Sequence, residues 1–156
     1  MNIAIVIHTQ SGHTLKFARA IQSRLEECGH EVEVKGLRTI GTVKARSTKF
    51  KIKNPPELEE YDAVLFGGPV WGFTASPVIM KFLGTLGVLK GKKALCFVTM
   101  FFPFPFMGGN QAIKAMEQEL DMSGADLLSP EILRYGLKVN QEKMNSAVER
   151  ICKSFC

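Results

Sequence analysis

The sequence predicts an α/β fold: a three-layer, doubly wound, five-stranded parallel sheet in one domain spanning residues 1–156. Three observations carry that reading. Short apolar runs rich in β-branched residues, at 2–8, 63–66 and 94–99, suit strands buried on both faces. Each run leads through a turn into a stretch of helical periodicity. Strand and helix then alternate along the chain with no internal repeat or low-complexity linker, and the right-handed crossover rule leaves few topologies.

Asn2 to His8 (N-I-A-I-V-I-H) reads as the first strand, and a polar turn, Thr9 to Thr14, opens a helix with Ala18, Ile21, Leu25 and Cys28 on one face. That helix ends near Cys28-Gly29. Glu31 to Lys35 alternates like an edge strand with one polar face. From Gly36 to Pro56 the pattern is irregular and basic, so the second helix is expected to be short or replaced by an extended excursion. Ala63 to Phe66 is a strand closed by Gly67-Gly68-Pro69, and Val70 to Ala75 is expected as a loop holding the only tryptophan. Ser76-Pro77 supplies an N-cap and a first-turn proline for a helix burying Val78, Ile79, Phe82, Leu83 and Leu86.

Ala94 to Thr99 is the next strand. It is followed by Met100-Phe101-Phe102-Pro103-Phe104-Pro105-Phe106-Met107-Gly108-Gly109, whose phenylalanines are expected to cover or bind an apolar surface. Gln111 to Ser123 is helical. Ile132 and Leu133 are expected in a final strand interrupted upstream by Pro130, and Met144, Ala147, Val148, Ile151, Cys152 and Phe155 mark the last helix.

Hydrophobic residues make up 46% of the chain and charged ones 22%, the balance of a soluble globular protein. No apolar run approaches a bilayer's thickness, and no basic leader or signal core precedes the first strand, so a cytoplasmic location is the expectation. The four cysteines, Cys28, Cys96, Cys152 and Cys156, form no C-x-x-C pair and share no metal-ligand spacing with the three histidines. They are expected to be reduced and mostly packed, with Cys152 and Cys156 sharing a helix face. The net charge of +5 is uneven, because seven basic residues and no acidic one lie between Lys35 and Lys53. Such a segment is a solvated loop or meets an anionic partner: nucleic acid, a membrane surface or an acidic protein. Nucleic acid is disfavoured, since Phe50 is the one aromatic within it.

The chemistry lies in three loops that follow strands. Free N–H groups at a helix start attract an anion, and Thr9, Ser11 and Thr14 add hydroxyl donors, which suits a phosphate monoester. A triphosphate-binding G-x-x-x-x-G-K-[ST] loop and a G-x-G-x-x-G dinucleotide fingerprint are both absent. Residues 67–75 and 100–109 add aromatic and apolar walls at the same predicted sheet edge, where ligands of such folds bind. No catalytic acid, base or nucleophile cluster stands out.

The T-x-S-G-x-T pattern at Thr9-Gln10-Ser11-Gly12-His13-Thr14 resembles the phosphate loop of the flavodoxin family. Y-D-A-V-L-F-G-G-P-V-W-G-F-T-A-S-P, at Tyr61 to Pro77, resembles the strand and first flavin loop of flavodoxin-like proteins and their reductase relatives. The resemblance covers nearly the whole chain in its short form. It implies a flavodoxin-like strand order of 2-1-3-4-5 and flavin mononucleotide (FMN) as cofactor. It also implies three groups of binding residues: Thr9, Gln10, Ser11, Gly12, His13 and Thr14 for the phosphate; Gly68, Pro69, Val70, Trp71, Gly72 and Phe73 against the ring; and Thr99, Met100, Phe101, Gly108 and Gly109 on its other side. Two features depart from electron-carrier flavodoxins: loop 100–109 lacks their usual Asp, Tyr and Cys, and the chain is basic.

The function expected from this resemblance is transfer of electrons through bound FMN to a redox partner protein. An FMN-dependent NAD(P)H:quinone or acceptor oxidoreductase is the alternative, and a flavin-free binding module on the same fold is a third class.

Overall fold

The computed structural model describes residues 1–138 and 140–156. Its main sheet contains β1 (Asn2–Ile7), β2 (Glu31–Gly36), β5 (Ala63–Trp71), β7 (Lys93–Met100) and a fifth strand in two pieces, β8 (Asp126–Leu127) and β9 (Glu131–Arg134). The order is β2-β1-β5-β7-β8, and β9 also pairs with β7. All of these pairings are parallel. Counting β8 and β9 as one interrupted strand gives the expected order 2-1-3-4-5. Pro130 lies between the pieces and has no N–H for the ladder.

Alternation along β1 builds the layers. Ile3, Ile5 and Ile7 face α1 (His13–Glu27) and α4 (Gln141–Cys152), joined there by Phe17, Ile21, Leu25, Ala147 and Ile151. Ala4 and Val6 face the opposite core, which holds Ile79 and Phe82 of α2 (Pro77–Gly84) and Ala112 and Met116 of α3 (Gly109–Met122). Each isoleucine of β1 is fully buried, a stabilisation of roughly 1.5–3 kcal/mol apiece. Helix α2 starts as expected, with Ser76 Oγ accepting from the Ile79 N–H at 3.4 Å and Pro77 in the first turn. Among the described residues no helix is long and apolar enough to cross a membrane.

The crossover from β2 to β5 contains no helix among its described residues. A small antiparallel pair replaces it, β3 (Arg38–Ile40) with β4 (Lys51–Lys53), placing Arg38 opposite Lys53 and Ile40 opposite Lys51. Leu37, Phe50 and Leu58 anchor this basic excursion in the α2/α3 core, so three separated apolar side chains do the covering that a helical stripe would do.

Two expectations are corrected. Residues 70–75 are not an open loop: β5 runs through Gly67-Gly68-Pro69 to Trp71, and β6 (Thr74–Ala75) folds back on it, pairing Val70 with Ala75 and Trp71 with Thr74. The cysteines are not all reduced, because Cys28 is joined to Cys156 in a disulfide, leaving Cys96 and Cys152 as buried free thiols. Cys156 therefore pairs across space and not with Cys152 along its helix. The end of α1 and the end of the chain meet because α1 and α4 pack side by side on one face of the sheet. That proximity of residues 128 positions apart is invisible in local spacing.

Candidate functional site

The three loops converge at the carboxyl ends of β1, β5 and β7. The first is drawn tight by Thr9, whose Oγ1 accepts from the Gly12 N–H at 3.2 Å. Gly12 is the N-cap of α1 and offers no side-chain cap, and no acidic residue stands in the first turn. The helix thus keeps its leading amides and the positive end of its dipole for an external anion. Gln10 and Ser11 are exposed beside them. Thr14 is placed differently from the other hydroxyls: it is buried, and its Oγ1 lies 2.8 Å from Thr99 Oγ1. These two expected site residues therefore tie the first loop to β7.

The second loop is a two-residue β-hairpin. Its central residues, Gly72 and Phe73, have φ of 58° and 63°, the mirror-image turn that matches the twist of paired strands. Glycine adopts this conformation freely, and Phe73 adopts it at a cost of roughly 1–2 kcal/mol. Pro69 O accepts from the Ser76 N–H at 3.1 Å, holding the hairpin base, while Gly68 is buried against Ile79. Trp71 stays half-exposed with its ring edge-on to His8, centroids 5.0 Å apart. Beside it is an open cavity of about 390 Å³ lined by Gln10, Val43, Lys44, Ala45, Val70, Trp71 and Gly72.

The third loop begins later than expected, since Met100 is a buried residue of β7. Phe101 and Phe102 follow it into solvent, and Phe102 stacks on Phe73 at 5.4 Å with ring planes 10° apart. The loop ends at Gly108, the buried N-cap of α3. Its backbone lies directly under the hairpin tip, where a β-carbon would stand 2.6 Å from Val70 Cγ1 and 2.7 Å from Phe73 Cα. Gly109 is packed against Met100 and Ile132. Thr99, Met100, Gly108 and Gly109 thus form the floor of the site, whereas Gln10, Ser11, Gly72, Phe73 and Phe101 form its exposed rim.

Residue-by-residue reading missed three contributors. Tyr135 follows β9 and stacks on His13, centroids 3.8 Å apart and planes 10° apart, with its N–H donating to Met100 O at 2.9 Å. The basic excursion reaches the hairpin, where Arg46 Nη2 donates to Gly72 O at 3.4 Å. Both come from distant segments; only the absence of acids in 35–53 hinted at the second. His8 is the third. It is 8% exposed, its Nδ1 lies 2.6 Å from Ser76 Oγ, and burial pushes its pKa down to about 4.

His8 carries a testable consequence. Between pH 6.5 and about 4 the unfolded chain binds a proton at this position that the folded chain refuses, so stability is full above 6.5 and falls as pH drops through this window. The expected loss is about 3 kcal/mol. Urea midpoints at pH 7 and pH 4.5 should separate wild type from His8→Asn, with the variant showing a shallower acid loss. Parallel pH profiles for the two proteins would remove His8 as the cause.

No protein-family model matches the chain. The chain is 30% identical over 128 residues, 70% of its length, to an NAD(P)H dehydrogenase (quinone) of Archaeoglobus fulgidus, and it spans 65% of that relative's length. In solved structures, Flavodoxin 2 of Bacillus cereus superposes with a TM-score of 0.71 at 21% identity, covering 99% of this chain and 100% of that one. A flavoprotein of Lactobacillus acidophilus solved in complex with FMN superposes with a TM-score of 0.65 at 16% identity, over 84% of this chain and 92% of that one. By strand order, by the placement of its helices on both faces and by these superpositions, the chain has the flavodoxin-like fold.

Proposed function

We propose that the chain binds FMN at the carboxyl edge of its sheet and acts as a redox protein through it. The observation that carries this reading is the pairing of an uncapped, acid-free α1 start with a half-buried Trp71 that lines an open cavity reaching the turn before α1 at Gln10. One end offers anion-binding amides and the other a flat apolar wall, the donor set of a planar ring with a phosphate tail. The FMN complex of the Lactobacillus acidophilus flavoprotein, which shares the fold, supports the same choice.

In this reading the turn from Thr9 to Thr14 holds the phosphate, chiefly through main-chain N–H groups and the Ser11 hydroxyl, with Thr14 fixing the turn through Thr99. Trp71 and the hairpin tip, Gly72-Phe73, flank the ring on one side and Phe101 on the other. Bound FMN supplies a ring that accepts electrons singly or as a hydride. The chain shields one face and sets the charge around it. Lys44 lines the cavity and Arg46 borders it, with no acidic residue in the lining, so a reduced, more negative ring is favoured.

NAD(P)H-driven reduction of a quinone is the second reading. The Archaeoglobus fulgidus relative is named for that reaction, and Lys44 and Arg46 provide positive charge for a phosphate-bearing nicotinamide. An anaerobic visible spectrum of the FMN-loaded protein, titrated with NADPH, then NADH, then dithionite, separates the readings. Bleaching by a nicotinamide at catalytic rates is expected for the oxidoreductase, and bleaching by dithionite alone for the carrier. Failure to take up FMN would overturn both and leave a binding module on the same fold.

A further inference from the structure

The loop after β7 does not bury its phenylalanines. Phe101, Phe102, Phe104 and Phe106 are all exposed, Phe106 to 65%, and Phe73 joins them through its stack on Phe102. The side chains from Phe101 to Met107 carry no hydrogen-bond donor at all. This apolar surface is held in shape. Phe104 and Phe106 stack on each other at 5.4 Å, Met107 N–H donates to Phe104 O at 3.0 Å, and Gln111 Nε2 donates to Phe106 O at 3.0 Å. Leu137, on the turn after β9, adds an aliphatic side chain that is 97% exposed.

Cations flank this surface on two sides. On one side Arg46 reaches Gly72, next to Phe73, with Lys44 beside it. On the other, Arg134 donates to Pro103 O and lines a cavity of about 280 Å³ with Phe101, Pro103, Leu137, Lys138 and Lys143. Among the described residues none of Lys44, Arg46, Arg134, Lys138 and Lys143 has an acidic partner within 4.0 Å. Glu142 shares the neighbouring cavity with Arg134, Lys143 and Arg150; Arg150 is paired with Glu131, so Arg134, Lys138 and Lys143 against Glu142 leave that flank net positive.

We propose that this face docks the chain on the interfacial region of an anionic phospholipid bilayer, with Phe104 and Phe106 entering the headgroup boundary and the two flanks meeting lipid phosphates. An aromatic centre between unpaired cations matches that medium in both polarity and charge. A second copy of the chain fits poorly, because a two-fold contact would bring positive flanks against positive flanks. The proposal goes beyond the redox reading and does not require bound flavin.

Flotation of the full chain with vesicles tests it, using phosphatidylcholine alone and phosphatidylcholine mixed with phosphatidylglycerol, at low and high salt. The chain is expected to float with the anionic vesicles, to bind neutral ones weakly and to be released by salt. The exposed double variant Phe104→Ser/Phe106→Ser is expected to keep its melting temperature and its FMN uptake while losing vesicle partitioning by about ten-fold or more. Wild-type protein that stays unbound on anionic vesicles would overturn the proposal, as would equal flotation of the double variant. A concentration-dependent dimer that the double variant abolishes would also overturn it, by assigning the face to a second copy. Flotation is read with and without FMN, so missing flavin uptake strikes the redox reading alone.

Discussion

Gly108→Ala is expected to unseat the hairpin tip and abolish FMN uptake, with a loss of stability of about 3 kcal/mol or more. Two costs combine at this position. Its φ of 114° disfavours any β-carbon, and that carbon would stand within 2.6–2.8 Å of Val70 and the Phe73 backbone, where relief requires moving the main chain. The displaced residues are the ones that carry Trp71 and Phe73, so flavin uptake registers the change as well as the melting curve. Gly124→Ala is the control, since Gly124 also has a positive φ, 79°, but meets nothing closer than 3.8 Å. It should cost only about 1–2 kcal/mol and leave FMN uptake intact. Absorbance titration with FMN checks both variants. Normal uptake by Gly108→Ala would mean that the hairpin is not seated on this glycine in solution.

Breaking the Cys28–Cys156 link, by a reductant or by Cys28→Ser, is expected to lower stability by about 5 kcal/mol in the chain-entropy account of a cross-link closing so long a loop. For a chain of this size that corresponds to a fall in melting temperature of roughly 10–20 °C. The bond joins residues 128 positions apart, so nearly the whole unfolded chain is constrained by it. Thiol titration in denaturant supplies the second readout: Cys96 and Cys152 should react, and Cys28 and Cys156 only after reduction. Equal melting temperatures with and without reductant, or four reactive cysteines before reduction, would remove the bond from the account of stability.

Much of the architecture could be read without coordinates because it rests on local patterns. The run N-I-A-I-V-I is apolar on both faces, and only a strand between two helical layers satisfies it. Ser76-Pro77 names a helix start by cap chemistry and fixed φ alone. The uncapped turn from Thr9 to Thr14 and the tryptophan after Gly67-Gly68-Pro69 likewise announce themselves, because each follows a strand in a fold whose strand ends gather at one edge.

Other features were not legible, for a common reason. The hairpin at Trp71 needs two consecutive residues at positive φ, and the second is Phe73, a residue with no preference for that conformation; its tertiary seat on Gly108 imposes it. Tyr135 stacks on His13 only because β9 ends and α1 begins on the same edge. Thr14, read as a hydroxyl donor for a ligand, meets Thr99 of the distant strand β7 at 2.8 Å, a contact that no local spacing announces. The disulfide depends on two helices packing side by side.

By itself, then, the sequence determined the alternation of strands and helices, the two buried faces of the sheet and the three loops at its carboxyl edge, because periodicity and turn chemistry act between near neighbours. Tertiary structure alone decided how those loops meet, which hydroxyls stay free, where the unpaired cations flank the phenylalanines and which cysteines join. Each of these depends on distances between segments far apart in the chain, and packing sets such distances.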